Sequence, residues 1–261
     1  MESLRNKRAF ICDMDGVIYH GNRLLPGVGR FLEWLKGQGK KFLFLTNSSE
    51  RSPRELQEKM ARLGIVFDET HFYTSAQATA SFLSLQRPNG SAYVIGEHGL
   101  IKALYDAGYS MNDVDPDYVI VGETRAYSFE KIERAVNLIR SGAKLIGTNP
   151  DLTGPTEEGI KPGAGALVAP IELAAGVSAY FMGKPNPLMM RHARRMLECS
   201  REETVIVGDR MDTDILAGIH EGIDTVLVLS GVTSREDLER FAYHPTYVLS
   251  GVGEIPEAAG G

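Results

Sequence analysis

The chain has 261 residues, enough for one large domain or two smaller domains with substantial cores. Its composition is ordinary for a globular protein, and its formal net charge of −6 argues against non-specific nucleic-acid binding, which requires a cationic surface. No apolar run is long enough to span a bilayer, and the first ten residues lack the apolar run of a signal peptide. We therefore expect a cytoplasmic protein that binds neither membranes nor nucleic acid.

Short apolar runs alternate with helical patterns along the chain. Four runs contain almost no polar residues, as strands of a parallel sheet covered on both faces require. They cover residues 8–12, 41–45, 204–208 and 224–229. Helical patterns cover 52–64, where Ser52 and Glu55 form a capping box and Pro53 suits the first turn, and 185–198. The alternation predicts an open α/β sheet.

The middle of the chain carries a second alternation of strands and helices. Strand patterns cover 91–96, 117–122 and 143–149. A Gly- and Pro-rich loop follows at 150–165, and a helix and a short strand then return to the first pattern. We predict that residues 90–181 form an α/β domain inserted into a core domain of residues 1–89 and 182–261. The predicted fold class is α/β, with a Rossmann-like parallel sheet core and an inserted α/β cap domain.

Acidic residues follow two of the predicted core strands. Asp13 and Asp15 follow the first strand, and Asp209 and Asp214 follow the strand at 204–208. Ligands of open parallel sheets bind beyond the carboxyl ends of the strands, so these acids are expected to converge. Two bare carboxylates about 4 Å apart repel by roughly 4 kcal/mol at an effective dielectric near 20, so one is protonated or a cation lies among them. Oxygen ligands favour a hard ion such as Mg²⁺, whose waters a phosphate can replace.

The remaining polar residues fit a phosphorylated substrate. Thr46, Asn47 and Ser48 follow the second strand and offer uncharged donors. Gly16 lets backbone amides approach an anion closely. Lys184, at a helix entrance, offers a positive charge that binds a phosphoryl group and keeps a nearby carboxylate ionised.

The two acids after the first strand suit different chemical roles. One of Asp13 and Asp15 must be ionised to attack phosphorus and form an aspartyl-phosphate. The other, two residues on, points in a different direction because its strand has ended. It can protonate the leaving oxygen and later deprotonate water.

Four motifs together resemble the haloacid dehalogenase-like phosphatase superfamily: "DMDGV", "TNSS", "GKPNP" and "GDRMDTDILAG", in family order and each after an apolar strand. The resemblance implies that Asp13 is the nucleophile, that Asp15 is the general acid and base, and that Lys184 orients the nucleophile and the phosphate. It implies that Mg²⁺ is bound by Asp13, the Asp15 carbonyl and Asp209. The resemblance also implies that Asp214 is a further ligand or an outer partner of the ion.

The spacing of these motifs indicates which class within the superfamily the chain resembles. Asn47 and Lys184 are 137 residues apart, which is similar to the class with a large α/β cap between the second and third motifs. Further stretches resemble the NagD-like branch, whose members hydrolyse nucleoside monophosphates, other small phosphate esters and p-nitrophenyl phosphate. These stretches include "VIGEHGL", "VGETRAYSFEKI", "TNPD" and "PGAGAL". Within "TNPD", Asn149 and Asp151 are candidate substrate-binding residues, with a turn before a proline-flanked loop as the alternative.

The predicted function is therefore a Mg²⁺-dependent phosphatase that hydrolyses small phosphate monoesters through an aspartyl-phosphate. The alternatives are a mutase that transfers the phosphoryl group to a second substrate and a non-catalytic protein that binds a phosphometabolite. The expected partner is a small phosphorylated metabolite. Exposed strands of the cap are dimer surfaces by the same resemblance, so a homodimer or another homo-oligomer is also expected.

Overall fold

A computed structural model describes residues 2–260, and the chain divides into two compact units. The core unit comprises the described residues of Met1–Thr46, Met60–Tyr73 and Lys184–Gly261, and the inserted unit comprises Asn47–Lys59 and Thr74–Gly183. Both units are α/β structures, so the predicted fold class is confirmed. In the described residues, no helix combines the length and the apolar character needed to cross a bilayer.

The elements follow the predicted alternation. The strands are β1 (Ala9–Asp13), β2 (Tyr19–His20), β3 (Arg23–Leu24), β4 (Lys41–Thr46), β5 (Phe72–Thr74), β6 (Ser91–Ile95), β7 (Ser110–Met111), β8 (Tyr118–Val121), β9 (Lys144–Gly147), β10 (Thr153–Thr156), β11 (Gly159–Pro162), β12 (Tyr180–Phe181), β13 (Thr204–Gly208), β14 (Asp224–Val228) and β15 (Tyr247–Leu249). The α-helices are α1 (Glu2–Asn6), α2 (Val28–Gly37), α3 (Pro53–Arg62), α4 (Ser75–Gln86), α5 (His98–Asp106), α6 (Phe129–Arg140), α7 (Ala164–Ala175), α8 (Pro187–Met196), α9 (Leu216–Glu221) and α10 (Ile255–Ala258). Shorter helical turns cover Glu69–His71, Met211–Ile215, Glu236–Arg240 and Val252–Glu254.

The sheet of the core unit has the strand order β15-β14-β13-β1-β4-β5, and its pairings from β15 to β4 are parallel. Every residue of β1 and β13 is buried, which explains why their sequences contain almost no polar residues before the strand ends. The strand β1 pairs with β4 on one side and with β13 on the other. Because the three strands are parallel, their carboxyl ends lie at one edge of the sheet, where ligands of such folds bind.

The inserted unit has its own parallel sheet, with the order β12-β9-β8-β6-β7. Apolar residues of β8, α6 and α7, including Val119, Ala135 and Val168, form its core. This unit begins earlier in the chain than the predicted domain of residues 90–181, because α4 packs against α5. The limits of the functional domain, 90 and 181, remain a prediction.

The Gly- and Pro-rich stretch at 150–165 contains a β-hairpin, where only a loop was expected. The strands β10 and β11 pair antiparallel, with Thr156 opposite Gly159 across a two-residue turn. The hairpin has no apolar alternation, and its one large apolar side chain, Ile160, is 75% exposed. Hydrogen bonds between backbone groups therefore define these strands, and the residue types give little sign of them.

Candidate active site

Asp13 and Asp15 lie at the end of the central strand of the core sheet. Asp13 is the last residue of β1 and is buried, and it is in register with Leu45 of β4. Thr46 ends β4 one residue further on and is also buried. The chain turns at once after β1, because the amide of Ile18 donates to the Met14 carbonyl at 2.9 Å. Asp15 lies in this turn and is half-buried, so the two acids occupy different environments.

Lys184 forms the centre of a buried ionic group. Its Nζ donates to Asp13 Oδ1 and to Asp214 Oδ1, both at 2.6 Å, and the residue is 2% exposed. The second oxygen of Asp214 accepts a hydrogen bond from the Arg210 amide at 3.1 Å. Both oxygens of Asp214 are therefore hydrogen-bonded within the protein.

A π-helical turn, Met211–Ile215, places Asp214 in this group. The amides of Asp214 and Ile215 both donate to the Arg210 carbonyl, at 3.1 and 3.2 Å. Single π turns of this kind are frequent at functional sites. Gly208, the last residue of β13, allows the close approach, because a Cβ atom there would lie 2.1 Å from Asp214 Cβ.

Asp209 has one carboxylate oxygen that nothing in the described chain satisfies. Its Oδ2 accepts a hydrogen bond from the Val232 amide at 2.7 Å, whereas its Oδ1 is buried and has no hydrogen-bond partner among residues 2–260. A buried polar atom left unpaired costs about 1–3 kcal/mol, and more when charged. Asp13, Asp209 and Asp214 each offer an oxygen within 4.8 Å of the others. With Lys184, these carboxylates carry a formal charge of −2, which a divalent cation would neutralise.

The pKa values in this group reflect its excess of negative charge. Burial raises the pKa of Asp13 well above its usual range, and the carboxyls of Asp214 and Asp209 add to this while Lys184 opposes it. Burial and the neighbouring Asp214 raise the pKa of Asp209 to about 7. Burial acts to lower the pKa of Lys184, but Asp13 and Asp214 outweigh it and raise that pKa above its ordinary value. A bound cation would reverse these shifts in the acids.

Gly16 lies directly against this group. Its φ is 78°, and a Cβ atom there would lie 2.4 Å from Asp209 Oδ2. Its own amide donates to the Tyr19 carbonyl at 2.9 Å. The glycine therefore gives Asp209 room, and its predicted contact with substrate stays a prediction.

The inserted unit brings together three other predicted residues. Asn47 Nδ2 donates to both carboxylate oxygens of Asp151, at 3.2 and 3.1 Å. Asn149 is completely buried, and its Nδ2 donates to the Asn47 carbonyl at 2.7 Å. Ser48 is half-buried, and its hydroxyl accepts a long hydrogen bond of 3.4 Å from the Glu50 amide.

Glu123 completes this network, although the sequence patterns did not single it out. It is buried, its Oε2 accepts hydrogen bonds from the amide and the hydroxyl of Ser49, and its Oε1 accepts from Asn149 Nδ2 at 2.8 Å. Glu123 lies two residues beyond the end of β8 in "VGETR". The rule that polar residues at strand ends serve a site, applied to β8, would have found it.

This fold and this arrangement of acids and lysine are typical of one class of hydrolase. Residues 10–110 match the family described as haloacid dehalogenase-like hydrolase, and residues 181–255 match a HAD-hydrolase-like family. The chain belongs to the haloacid dehalogenase-like hydrolase family.

The relatives of the chain indicate its branch. Dihydroxyacetone phosphatase of Corynebacterium glutamicum is 43% identical over 95% of this chain and 90% of its own length. Ribonucleotide monophosphatase NagD of Escherichia coli is 43% identical over 94% of this chain and 96% of its own length. The solved structure of a 4-nitrophenylphosphatase from Thermotoga maritima superposes with a TM-score of 0.95 at 34% identity, covering 98% of this chain and 99% of that one. The predictions of the family, the NagD-like branch and the phosphatase class are confirmed.

Proposed function

We propose that the protein hydrolyses small phosphate monoesters in a Mg²⁺-dependent reaction that passes through a phosphorylated Asp13. The observation that carries this proposal is the buried group of Asp13, Asp209, Asp214 and Lys184, in which Oδ1 of Asp209 has no partner among the described residues. The three acids offer only oxygen atoms as ligands, and the net charge of the group is negative, which suits a hard divalent cation. Asp13, Asp209 and the Asp15 carbonyl would hold the ion. When bound, Mg²⁺ neutralises charge on the carboxylates and on the phosphoryl oxygens.

Asp214 differs from Asp209 in what its oxygens do. Both oxygens of Asp214 accept hydrogen bonds, from Lys184 and from the Arg210 amide. Asp209 has an oxygen with no such partner among the described residues. We therefore assign Asp209 as a direct ligand and Asp214 as an outer partner that holds Lys184 in place.

Each catalytic residue has a distinct part in the reaction. A carboxylate oxygen of Asp13 attacks phosphorus while the ester P–O bond breaks, and Asp15 gives its proton to the leaving oxygen. Asp15 then takes a proton from water, whose oxygen attacks the phosphorus while the bond between phosphorus and the Asp13 oxygen breaks. Inorganic phosphate leaves, and the Asp13 carboxylate is restored. Lys184 favours the ionised form of Asp13 and fixes its orientation through the hydrogen bond to Oδ1.

We further propose that Thr46, Asn47, Ser48 and Gly16 contact the phosphoryl group and that Asp151 contacts substrate. Asn149 is completely buried and donates to the Asn47 carbonyl, so its role is to hold the Asn47 backbone. The inserted domain, predicted at 90–181, would determine which ester is accepted.

The substrate is proposed to be a small phosphorylated metabolite such as a nucleoside monophosphate or a sugar phosphate. Relatives of the chain named ribonucleotide monophosphatase NagD, dihydroxyacetone phosphatase and acid sugar phosphatase support this choice. A cytoplasmic location and a homo-oligomeric state belong to the same proposal.

The test is hydrolysis of p-nitrophenyl phosphate, followed by a panel of nucleotide and sugar monophosphates. We expect release of p-nitrophenol and inorganic phosphate with Mg²⁺, complete loss with EDTA, and recovery when Mg²⁺ is returned. A rate that EDTA does not alter would exclude the metal. Transfer of phosphate to a second substrate instead of water would favour a mutase, and binding of esters without turnover would favour a non-catalytic protein.

A further inference from the structure

The loop after β14 contacts both the side chain and the backbone carbonyl of Asp209. This loop, residues 230–233, has the sequence Ser-Gly-Val-Thr. The Val232 amide donates to Asp209 Oδ2 at 2.7 Å, and the Thr233 amide donates to the Asp209 carbonyl at 3.1 Å. Two consecutive amides of one loop therefore hold one acidic residue.

The same loop also holds the turn after β1. The Ser230 hydroxyl donates to the Gly16 carbonyl at 2.7 Å. The 230–233 loop thus connects the turn that carries Asp15 with the acid that follows β13.

Two glycines pack closely against the Asp209 carboxylate. A Cβ atom on Gly231 would lie 2.0 Å from Asp209 Oδ2, and one on Gly16 would lie 2.4 Å from the same atom. The backbone of Gly231 does not adopt the left-handed region, so space and not conformation requires glycine there. The carboxylate therefore lies closely packed between two glycines, with no room for a side chain at either position.

We propose that the 230–233 loop is a positioning element of the metal centre. It commits Oδ2 of Asp209 to a backbone amide and presents only Oδ1 to the cation. A carboxylate that is already oriented loses little freedom when the ion binds, so the loop raises metal affinity. This inference rests on the proposed metal-dependent function.

The position of Gly231 makes the inference testable without damage to the core. Gly231 is exposed, and the neighbouring Val232 side chain is 55% exposed. A methyl group on Gly231 would therefore displace the Asp209 carboxylate or the loop and leave the packing of the sheet intact.

The experiment is a calorimetric titration of the metal-free protein with Mg²⁺, which needs no turnover. We expect Gly231→Ala to weaken Mg²⁺ binding by about tenfold or more, the range seen when outer-shell partners of metal ligands are changed. Gly251→Ala is the matched control, because a Cβ there would make only ordinary contact, at 4.0 Å, with Ser230 Cβ. Its affinity should equal that of the wild type, and unfolding temperatures in EDTA verify that each variant is folded.

The outcomes separate this inference from the proposed function. If the wild type binds Mg²⁺ and Gly231→Ala binds it equally well, the positioning role is wrong and the metal centre stands. If the wild type binds no Mg²⁺, the metal-dependent function fails first and this inference falls with it. If Gly231→Ala does not fold, Ser230→Ala decides, since it removes one hydroxyl without a clash. A measurable loss of affinity in that variant supports the role, and an unchanged affinity overturns it.

Discussion

The two units both bury carboxyl groups, but they satisfy them differently. In the inserted unit, both oxygens of Glu123 accept hydrogen bonds, from Ser49 and Asn149. In the core unit, Oδ1 of Asp209 has no partner among residues 2–260, whereas Lys184 pairs with its two neighbours, Asp13 and Asp214. The hydrogen bonds of the first carboxyl group are complete within the protein, whereas the second group has an open oxygen that suits the proposed cation. Because an uncompensated buried charge costs several kcal/mol, we expect Glu123 to stabilise the fold by itself and Asp209 to depend on the proposed ligand.

The largest expected effect comes from replacing Asp13, the proposed nucleophile of the core unit. We expect Asp13→Asn to lower kcat for p-nitrophenyl phosphate by roughly 10⁴-fold or more, because the amide cannot form the covalent intermediate. The measurement is phosphate release at saturating Mg²⁺. Asp212→Asn is the control, since its carboxylate is exposed and pairs with Arg210. Turnover by Asp13→Asn near the level of this control would exclude Asp13 as the nucleophile.

Replacing Lys184 should show how far the stability of the core unit depends on the ammonium group that pairs with Asp13 and Asp214. Lys184→Met leaves Asp13 and Asp214 buried without a cation in metal-free protein, so we expect the free energy of unfolding to fall by about 3–5 kcal/mol. Urea unfolding in EDTA measures it.

The control for this variant is Lys41→Met. Lys41 pairs with Glu198 at the surface, where such pairs contribute less than about 1 kcal/mol. Equal, small losses in the two variants would show that the buried acids do not rely on Lys184.

The next effect is the pH dependence of stability, which we expect Asp209 of the core unit to produce. The pKa of Asp209 is raised to about 7 in the folded protein, above its value in the unfolded chain. This group therefore stabilises the fold at acid pH, and that stabilisation is lost as the pH rises through about 7. In EDTA we expect the unfolding temperature to fall between about pH 4 and pH 7. The increase in unfolding temperature that Mg²⁺ produces should become larger over the same pH range, because the ion binds the ionised form of Asp209.

The control for the pH experiment is Asp209→Asn, which cannot titrate. It should remove this part of the pH dependence and most of the response to Mg²⁺. A wild-type protein whose response to Mg²⁺ is the same at both ends of the window would show that Asp209 does not control metal binding.

The core-unit site was predictable from sequence because strand ends reveal it. Lys184 follows β12, a two-residue strand of the inserted unit's sheet, and it was predicted from its motif alone. Asp13 ends β1 and Asp209 follows β13, both buried strands of the core sheet, and local signals such as the Ser52–Glu55 capping box place the helices along the chain. Parallel pairing then requires these ends to meet at one edge of the sheet.

The parts that were not predicted depend on backbone groups and on three-dimensional packing. The hairpin of β10 and β11 is held by main-chain pairing with little burial, so its sequence has no strand pattern. The support of Asp209 by Val232 is an amide contact that any residue but proline could make. Glu123 was missed because its partners, Ser49 and Asn149, are 74 and 26 residues away in the chain.

The smallest of these effects tests the inserted unit, where the buried acid is already satisfied. Glu123→Ala leaves the Ser49 amide, the Ser49 hydroxyl and one donor contact of Asn149 without their acceptor, so we expect a loss of stability of about 1–3 kcal/mol. The loss should be the same in EDTA and in saturating Mg²⁺, because Glu123 depends on no cation. Glu157→Ala, at the exposed turn of the hairpin, should lose almost nothing. A loss at Glu123 that Mg²⁺ alters would mean that this acid too serves a ligand, and the contrast between the two units would not hold.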